Sequence, residues 1–284
     1  MSVAAEVQYS PPCSDLFIYY LEGSLQHDPS ELKHFIGNWQ EDGFSFLFFS
    51  QPSLNQVQEL IRISPLLRLI DQYQMSYDDW VGDKIAPFST DRFFIYPPWD
   101  SSLPPSSKMP ITLDPGVVFG TGAHPTTRDC LEALENTFEA ESIGSAIDLG
   151  TGTGILAIAA ARLGCPLTLA VDMNRLAAKT AARNIQLNRL QSSILAVQAS
   201  ADNFIHIQAD LLIANIHYDV MKRLVCSEGF LNKKRFILSG LLRSEAADIE
   251  NRLLQLPVTI LNKWVRDGIW YTYQGIRKHT LSGQ

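Results

Sequence analysis

Asp148-Leu149-Gly150-Thr151-Gly152-Thr153-Gly154 is the stretch of this chain best suited to chemistry. The apolar run SAIDLG ends there in a glycine-rich turn that opens the helical pattern ILAIAAARLG. Glycines at such a turn permit positive φ and let a ligand approach the main chain, and the start of the helix offers N–H groups without partners of their own. Gly152, Gly154 and Ala157 also satisfy the G-x-G-x-x-A form of a dinucleotide fingerprint, so a nicotinamide-dependent oxidoreductase stays open at this point. Asp148 argues the other way. A carboxylate just before the turn repels a pyrophosphate but helps to hold a cationic amino-acid group, and S-adenosylmethionine carries one.

Two further strand ends carry polar residues. Asp172 closes the run LTLAVD, where a carboxylate accepts hydrogen bonds from both ribose hydroxyls of a bound nucleoside, in S-adenosylmethionine as in NAD. It would serve equally as the cap of the following helix, RLAAKTAARN. Asn215 closes LLIAN, the apparent fourth strand, where a methyltransferase needs polar atoms that align an acceptor amine with the reacting methyl. The amine must be neutral to attack, and His217 and Tyr218 are the nearby candidates to accept its proton. Packing or a substrate contact would account for His217 as well.

These residues need strands to present them. SAIDLG, LTLAVD, ADLLIANI and RFILSG alternate with helical stretches, which predicts βαβ units and a parallel sheet whose ligands lie at the carboxyl ends of its strands. The expected fold class is α/β: a doubly wound, Rossmann-like methyltransferase sheet preceded by a small ferredoxin-like domain. In that domain LFIYYLE and FSFLFF read as strands, with PSELKHFIGNW as a helix capped by Ser30, PSLNQVQELIRI as a second helix, and the apolar-rich LLRLIDQYQ after it. The segment YPPWDSSLPPSSKMP is too rich in Pro and Ser for a helix or a central strand and marks a boundary. The expected division is a small domain over 1–76, a linker over 77–110 and a cofactor-binding domain over 111–284.

Composition narrows the function. With 46% hydrophobic and 19% charged residues in 284, the chain can bury a substantial core. No apolar run approaches membrane-spanning length, and the opening MSVAAEVQYSPP has neither the basic nor the apolar region of an export signal. Cys13, Cys130, Cys165 and Cys226 lie far apart, with no C-x-x-C pair, so neither a zinc site nor a disulfide framework is expected and a reducing cytoplasm fits. A net charge of −7 argues against broad nucleic-acid binding and suits a basic protein partner. No membrane contact, no metal and a monomeric state are expected.

The string Leu113-Asp114-Pro115-Gly116-Val117-Val118-Phe119-Gly120-Thr121-Gly122-Ala123-His124-Pro125-Thr126-Thr127 is far more specific than the glycine turn. With that turn, Asp172 and ILSGLLRSE, it closely resembles the bacterial PrmA family, the methyltransferases of ribosomal protein L11. The likeness extends from the Tyr77-Asp78-Asp79-Trp80 and Tyr96–Trp99 segments to the tail around Trp270, while the N-terminal module matches in size and pattern only. The resemblance implies a cytoplasmic enzyme that transfers methyl groups from S-adenosyl-L-methionine to lysine side chains and the α-amino group of a ribosomal protein, with the small domain recognising the substrate. It also implies that Thr127, Gly150, Asp172 and Asn215 contact the cofactor, and that Phe119, Gly120, Thr121 and His124 belong to a loop that covers it; Gly152 and Asp148 complete the expected contacts. One departure stands out: where the family reads N-I-L-A, this chain has Asn215-Ile216-His217-Tyr218, two bulkier side chains that would narrow or redirect the acceptor site. Another protein's lysine as acceptor, the oxidoreductase, and a silent module whose acceptor site His217 and Tyr218 block remain as alternatives.

Overall fold

The computed structural model describes residues 11, 13–26, 29–81, 86–118, 120, 122 and 124–278. Its N-terminal part is a sheet of β1 (Asp15–Glu22), β2 (Phe35–Glu41), β3 (Phe44–Phe49) and β4 (Arg68–Ser76), with α1 (Leu54–Ile63) between β3 and β4. The spatial order β2-β3-β1-β4, antiparallel throughout, is that of a ferredoxin-like plait. The expected helix over PSELKHFIGNW is not there, and neither is its Ser30 cap: Phe35–Glu41 is a strand. The reason lies just beyond it. Asp42 and Gly43 both take positive φ, 50° and 83°, and form a two-residue hairpin turn that places Glu41 opposite Phe44. Such an Asp-Gly turn commits both flanking segments to a ladder, and pairing with FSFLFF outweighs local helix propensity.

Side chains alternate across β1. Tyr19 and Leu21 meet Val57 of α1 on one face, while Leu16 and Ile18 meet Val117 and Val118 on the other. Both faces are therefore covered, one by the domain's own helix and one by the segment that leads into the second domain. Between the two, α2 (Tyr77–Val81) precedes a small sheet of β5 (Phe88–Ser89), β6 (Phe93–Tyr96) and β7 (Met109–Thr112), and the Pro- and Ser-rich 97–108 holds no regular element.

The second domain opens with α3 (Pro125–Ala140) and continues as β8 (Ala146–Leu149), α4 (Ile155–Arg162), β9 (Thr168–Asp172), α5 (Arg175–Leu187), β10 (Ile194–Gln198), β11 (Ala209–Asn215), α6 (Tyr218–Cys226), β12 (Lys233–Leu242), α7 (Arg243–Gln255), β13 (Val258–Arg266) and β14 (Trp270–Arg277). The seven strands run in the order β10-β9-β8-β11-β12-β14-β13, and only β14 is antiparallel to its neighbours. Helices α3, α4 and α5 bury one face of this sheet and α6 and α7 the other. The winding of the sheet reverses between the parallel neighbours β8 and β11, so the connections that leave their carboxyl ends pass to opposite faces and leave the crevice in which doubly wound sheets bind ligands. No described helix is long and apolar enough to cross a membrane.

Candidate active site

Gly150 and Asn215 end the two strands that flank this crevice. Gly150 has φ 72°, and a Cβ built on it would lie 2.1 Å from Cγ2 of Ile216, so the turn after β8 and the turn after β11 touch at a point where only glycine fits. The amides of Gly150 and Thr151 both donate to the Val171 carbonyl, at 2.8 and 3.0 Å, which bends the chain over the end of β9.

Asp148 is 1% exposed beneath the turn. Its Oδ2 accepts from the Thr151 hydroxyl at 2.6 Å and from the Ala157 amide at 3.2 Å, so the carboxylate ties the glycine turn to the first turn of α4. Burial, assisted by the nearby negative charge of Asp172, pushes its pKa up to about 7. Because the folded value lies above the unfolded one, the folded chain holds a proton through the window from about 4 to about 7 that the unfolded chain has released, and stability from this group falls as pH rises through it. Asp148→Asn keeps an oxygen for both donors and removes the buried charge. Thermal unfolding of the ligand-free protein should show the variant more stable than the parent by on the order of 2–4 kcal/mol at pH 8 and equal to it near pH 4. A pH-independent difference would refute the assigned titration.

Asp172 stands beside it, 8% exposed at the end of β9. Oδ2 accepts from the Gly152 amide at 3.0 Å and Oδ1 from the Asn174 amide at 2.9 Å, leaving each oxygen a further lone pair. Burial raises its pKa. The helix-cap alternative for Asp172 falls, since Asn174 caps α5 by accepting from the Leu176 amide at 2.9 Å.

Residues 113–118 and Gly120 lie beside the turn. The Thr153 hydroxyl donates to the Gly120 carbonyl at 2.6 Å, and the Tyr77 hydroxyl donates to the Gly116 carbonyl at 2.7 Å. Asn184 of α5 bonds both the amide and the carbonyl of Asp114 at 2.8 Å and reaches the Thr153 carbonyl at 2.8 Å, while Asn188 grips Thr112 in the same two-handed way. Arg183 pairs with the Asp114 carboxylate at 3.0 Å. Sequence reasoning missed Asn184 and Asn188, although a signal existed: with Ala177 and Ala181 they fall at helical spacing on one buried face of α5, where asparagine needs partners. Phe119 and Thr121 lie outside the described residues.

At the far side of the crevice His124 caps α3, and Thr126 and Thr127 sit buried in its first turn. Asn215 Nδ2 lies 3.2 Å from the Thr126 hydroxyl, which lies 2.8 Å from Nδ1 of His124. His217 is exposed at the start of α6. The Tyr218 hydroxyl donates to Asp248 of α7 at 2.9 Å, so its polar end is held by that helix. The structure thus groups Asp148, Gly150, Gly152 and Asp172 on one side of the crevice, with Asn215, His124, Thr126 and Thr127 on the other. Among the described residues no cluster of His, Cys, Asp or Glu could hold a metal.

The turn 148–154 contains no lysine or arginine and lies between two carboxylates, which opposes a pyrophosphate and fits a nucleoside joined to a cation. With the strand order, these features define a doubly wound methyltransferase that uses S-adenosylmethionine. The family model "Ribosomal protein L11 methyltransferase (PrmA)" matches residues 57–278, and the chain belongs to that family. It is 32% identical over 280 residues to the ribosomal protein L11 methyltransferase of Desulfitobacterium hafniense, covering 88% of each chain. It is 36% identical over 184 residues to that of Geobacillus thermodenitrificans, covering 62% of this chain and 58% of the relative. The crystal structure of ribosomal protein L11 methylase from Lactobacillus delbrueckii subsp. bulgaricus superposes with a TM-score of 0.59 at 29% identity, over 67% of this chain and 97% of the other.

Proposed function

We propose that this chain methylates ribosomal protein L11 in the cytoplasm, on lysine side chains and the α-amino group, with a small domain over 1–76 recognising the protein and the domain over 111–284 holding the methyl donor. The observation that carries the reading is the juxtaposition of Asp172, braced by the Gly152 amide, with a cation-free glycine turn at the switch point of the sheet. When bound, S-adenosylmethionine supplies a methyl group on a positively charged sulfur, open to direct displacement by an amine.

The chain's own residues have the remaining tasks. Asp172 takes the two ribose hydroxyls on its spare lone pairs. Gly150 and Gly152 let the donor lie against the main chain, and Asp148 favours its positive charge from below. Thr127, Gly120 and His124 contact the donor, as do Phe119 and Thr121 of the same sequence string, which lie outside the described residues. Asn215 orients the acceptor amine.

The acceptor's proton leaves to His217, which is exposed two residues beyond Asn215. His217→Ala should slow methyl transfer by roughly tenfold at neutral pH, with the deficit shrinking as pH approaches the amine's own pKa. A constant deficit across pH would assign His217 to substrate contact instead.

The overall reading is tested by calorimetry and labelling together. Micromolar binding of S-adenosylhomocysteine without binding of NAD, followed by transfer of labelled methyl groups to L11 in ribosomal protein from an unmethylated strain, is the expected result. Label on another protein would move the acceptor, and binding without label on any protein would favour a silent module.

A further inference from the structure

We propose that Thr126 and His124 are positioning residues that lock the carboxamide of Asn215 in one of its two orientations, with the oxygen presented to the acceptor amine. This rests on the methyltransferase reading and assigns the acceptor-binding orientation within it.

The orientation follows from counting protons. His124 Nδ1 accepts from the Thr126 amide at 3.4 Å, the capping contact of α3, so Nδ1 carries no proton and the ring's hydrogen sits on Nε2. Burial lowers the pKa of His124, which keeps the ring neutral. The Thr126 hydroxyl, 2.8 Å from Nδ1, must then donate its single proton to that nitrogen. Its oxygen can only accept from Asn215, which therefore turns Nδ2 toward it at 3.2 Å. Oδ1 is left facing Gly240, where a Cβ would stand 2.9 Å away and the missing side chain keeps the oxygen clear. The edge-to-face contact of His124 with Trp270, centroids 4.8 Å apart, holds the ring that begins this chain of donors.

The orientation decides whether an amine at Asn215 is productive. Oδ1 accepts an N–H of the neutral amine and leaves the nitrogen lone pair pointing away, free to attack the methyl carbon. The flipped amide would present Nδ2, whose hydrogens bond that lone pair and occupy the electrons the displacement needs. In the transfer itself the nitrogen–carbon bond forms as the carbon–sulfur bond breaks, sulfur keeps that electron pair, and the product ammonium releases one proton.

The test is a kinetic comparison of the parent, Thr126→Val, Thr126→Ser, Asn215→Ala and the Thr126→Val/Asn215→Ala double variant on L11. Thr126→Val keeps the shape and removes the hydroxyl. It should lower kcat by about 10- to 100-fold, the scale of a misaligned reacting group. The dissociation constant for S-adenosylhomocysteine should stay within twofold of the parent, and Thr126→Ser should recover most of the rate. Because Thr126 acts through Asn215, the double variant should be no slower than Asn215→Ala alone. His124→Phe, which keeps a ring against Trp270 and removes Nδ1, should reproduce the loss in kcat if the valine variant folds poorly. Parent-like kcat in Thr126→Val, losses that multiply in the double variant, or a tenfold change in homocysteine-analogue binding would each overturn the relay while leaving the parent an active methyltransferase. A parent that transfers no methyl group would instead overturn the functional reading beneath it.

Discussion

Replacing Asp172 with alanine should abolish useful cofactor binding, raising the dissociation constant for S-adenosylhomocysteine by at least about 100-fold, since two hydrogen bonds from ribose hydroxyls to a charged acceptor are lost together. The same carboxylate braces the Gly152 and Asn174 amides, so its removal also relaxes the turn. An analogue lacking both ribose hydroxyls separates the two. It should bind the parent weakly, and the alanine variant hardly more weakly still. Calorimetry on the four combinations gives the coupling directly, and retention of S-adenosylhomocysteine within threefold by Asp172→Ala would remove Asp172 from the site.

The second large effect is expected at Gly150. A methyl group there meets two penalties: a left-handed φ of 72°, and a Cβ only 2.1 Å from Cγ2 of Ile216. The backbone strain is worth about 1–2 kcal/mol, and the overlap forces the ends of β8 and β11 apart at further cost. Gly150→Ala should therefore lose about 3 kcal/mol or more, a fall in Tm of roughly 6–12 °C, together with cofactor binding. Trimming the neighbour identifies the cause. The Ile216 Cβ would stand at 3.5 Å, an ordinary contact, so Gly150→Ala/Ile216→Ala should regain the steric part of the loss and keep the backbone part. If the double variant is no more stable than the two single losses added together predict, the steric account of Gly150 is wrong.

Much of this architecture is legible in the chain because buried parallel strands leave short apolar runs and their helices keep a longer period. SAIDLG, LTLAVD and ADLLIANI became β8, β9 and β11, and the polar residues closing them stand at the carboxyl edge as the alternation required. The strand β2 was read as a helix because PSELKHF resembles a capped helix start when taken alone. Its state is decided by pairing with β3 through Asp42-Gly43, a turn signal that the sequence carries just beyond the strand. Other features left a trace of their burial but none of their partners. Asn184 and Asn188 bind main-chain groups 70 and 76 residues away, and nothing near them in the chain announces those partners. The hydroxyl that meets Asn215 belongs to Thr126, in the first turn of α3, and its partner lies 89 residues further along the chain. The departure at His217 and Tyr218 was legible as bulk. That the Tyr218 hydroxyl is taken by Asp248 could not be foreseen from one strand end.

The most direct measurement is intact-mass spectrometry of purified, unmethylated L11 after incubation with this protein and S-adenosylmethionine, with Asp172→Ala as the control. The account predicts that L11 gains mass in whole methyl units on its amino groups with the parent and none with the variant. L11 left unmodified by a parent that binds S-adenosylhomocysteine tightly, or modified equally by Asp172→Ala, would contradict it.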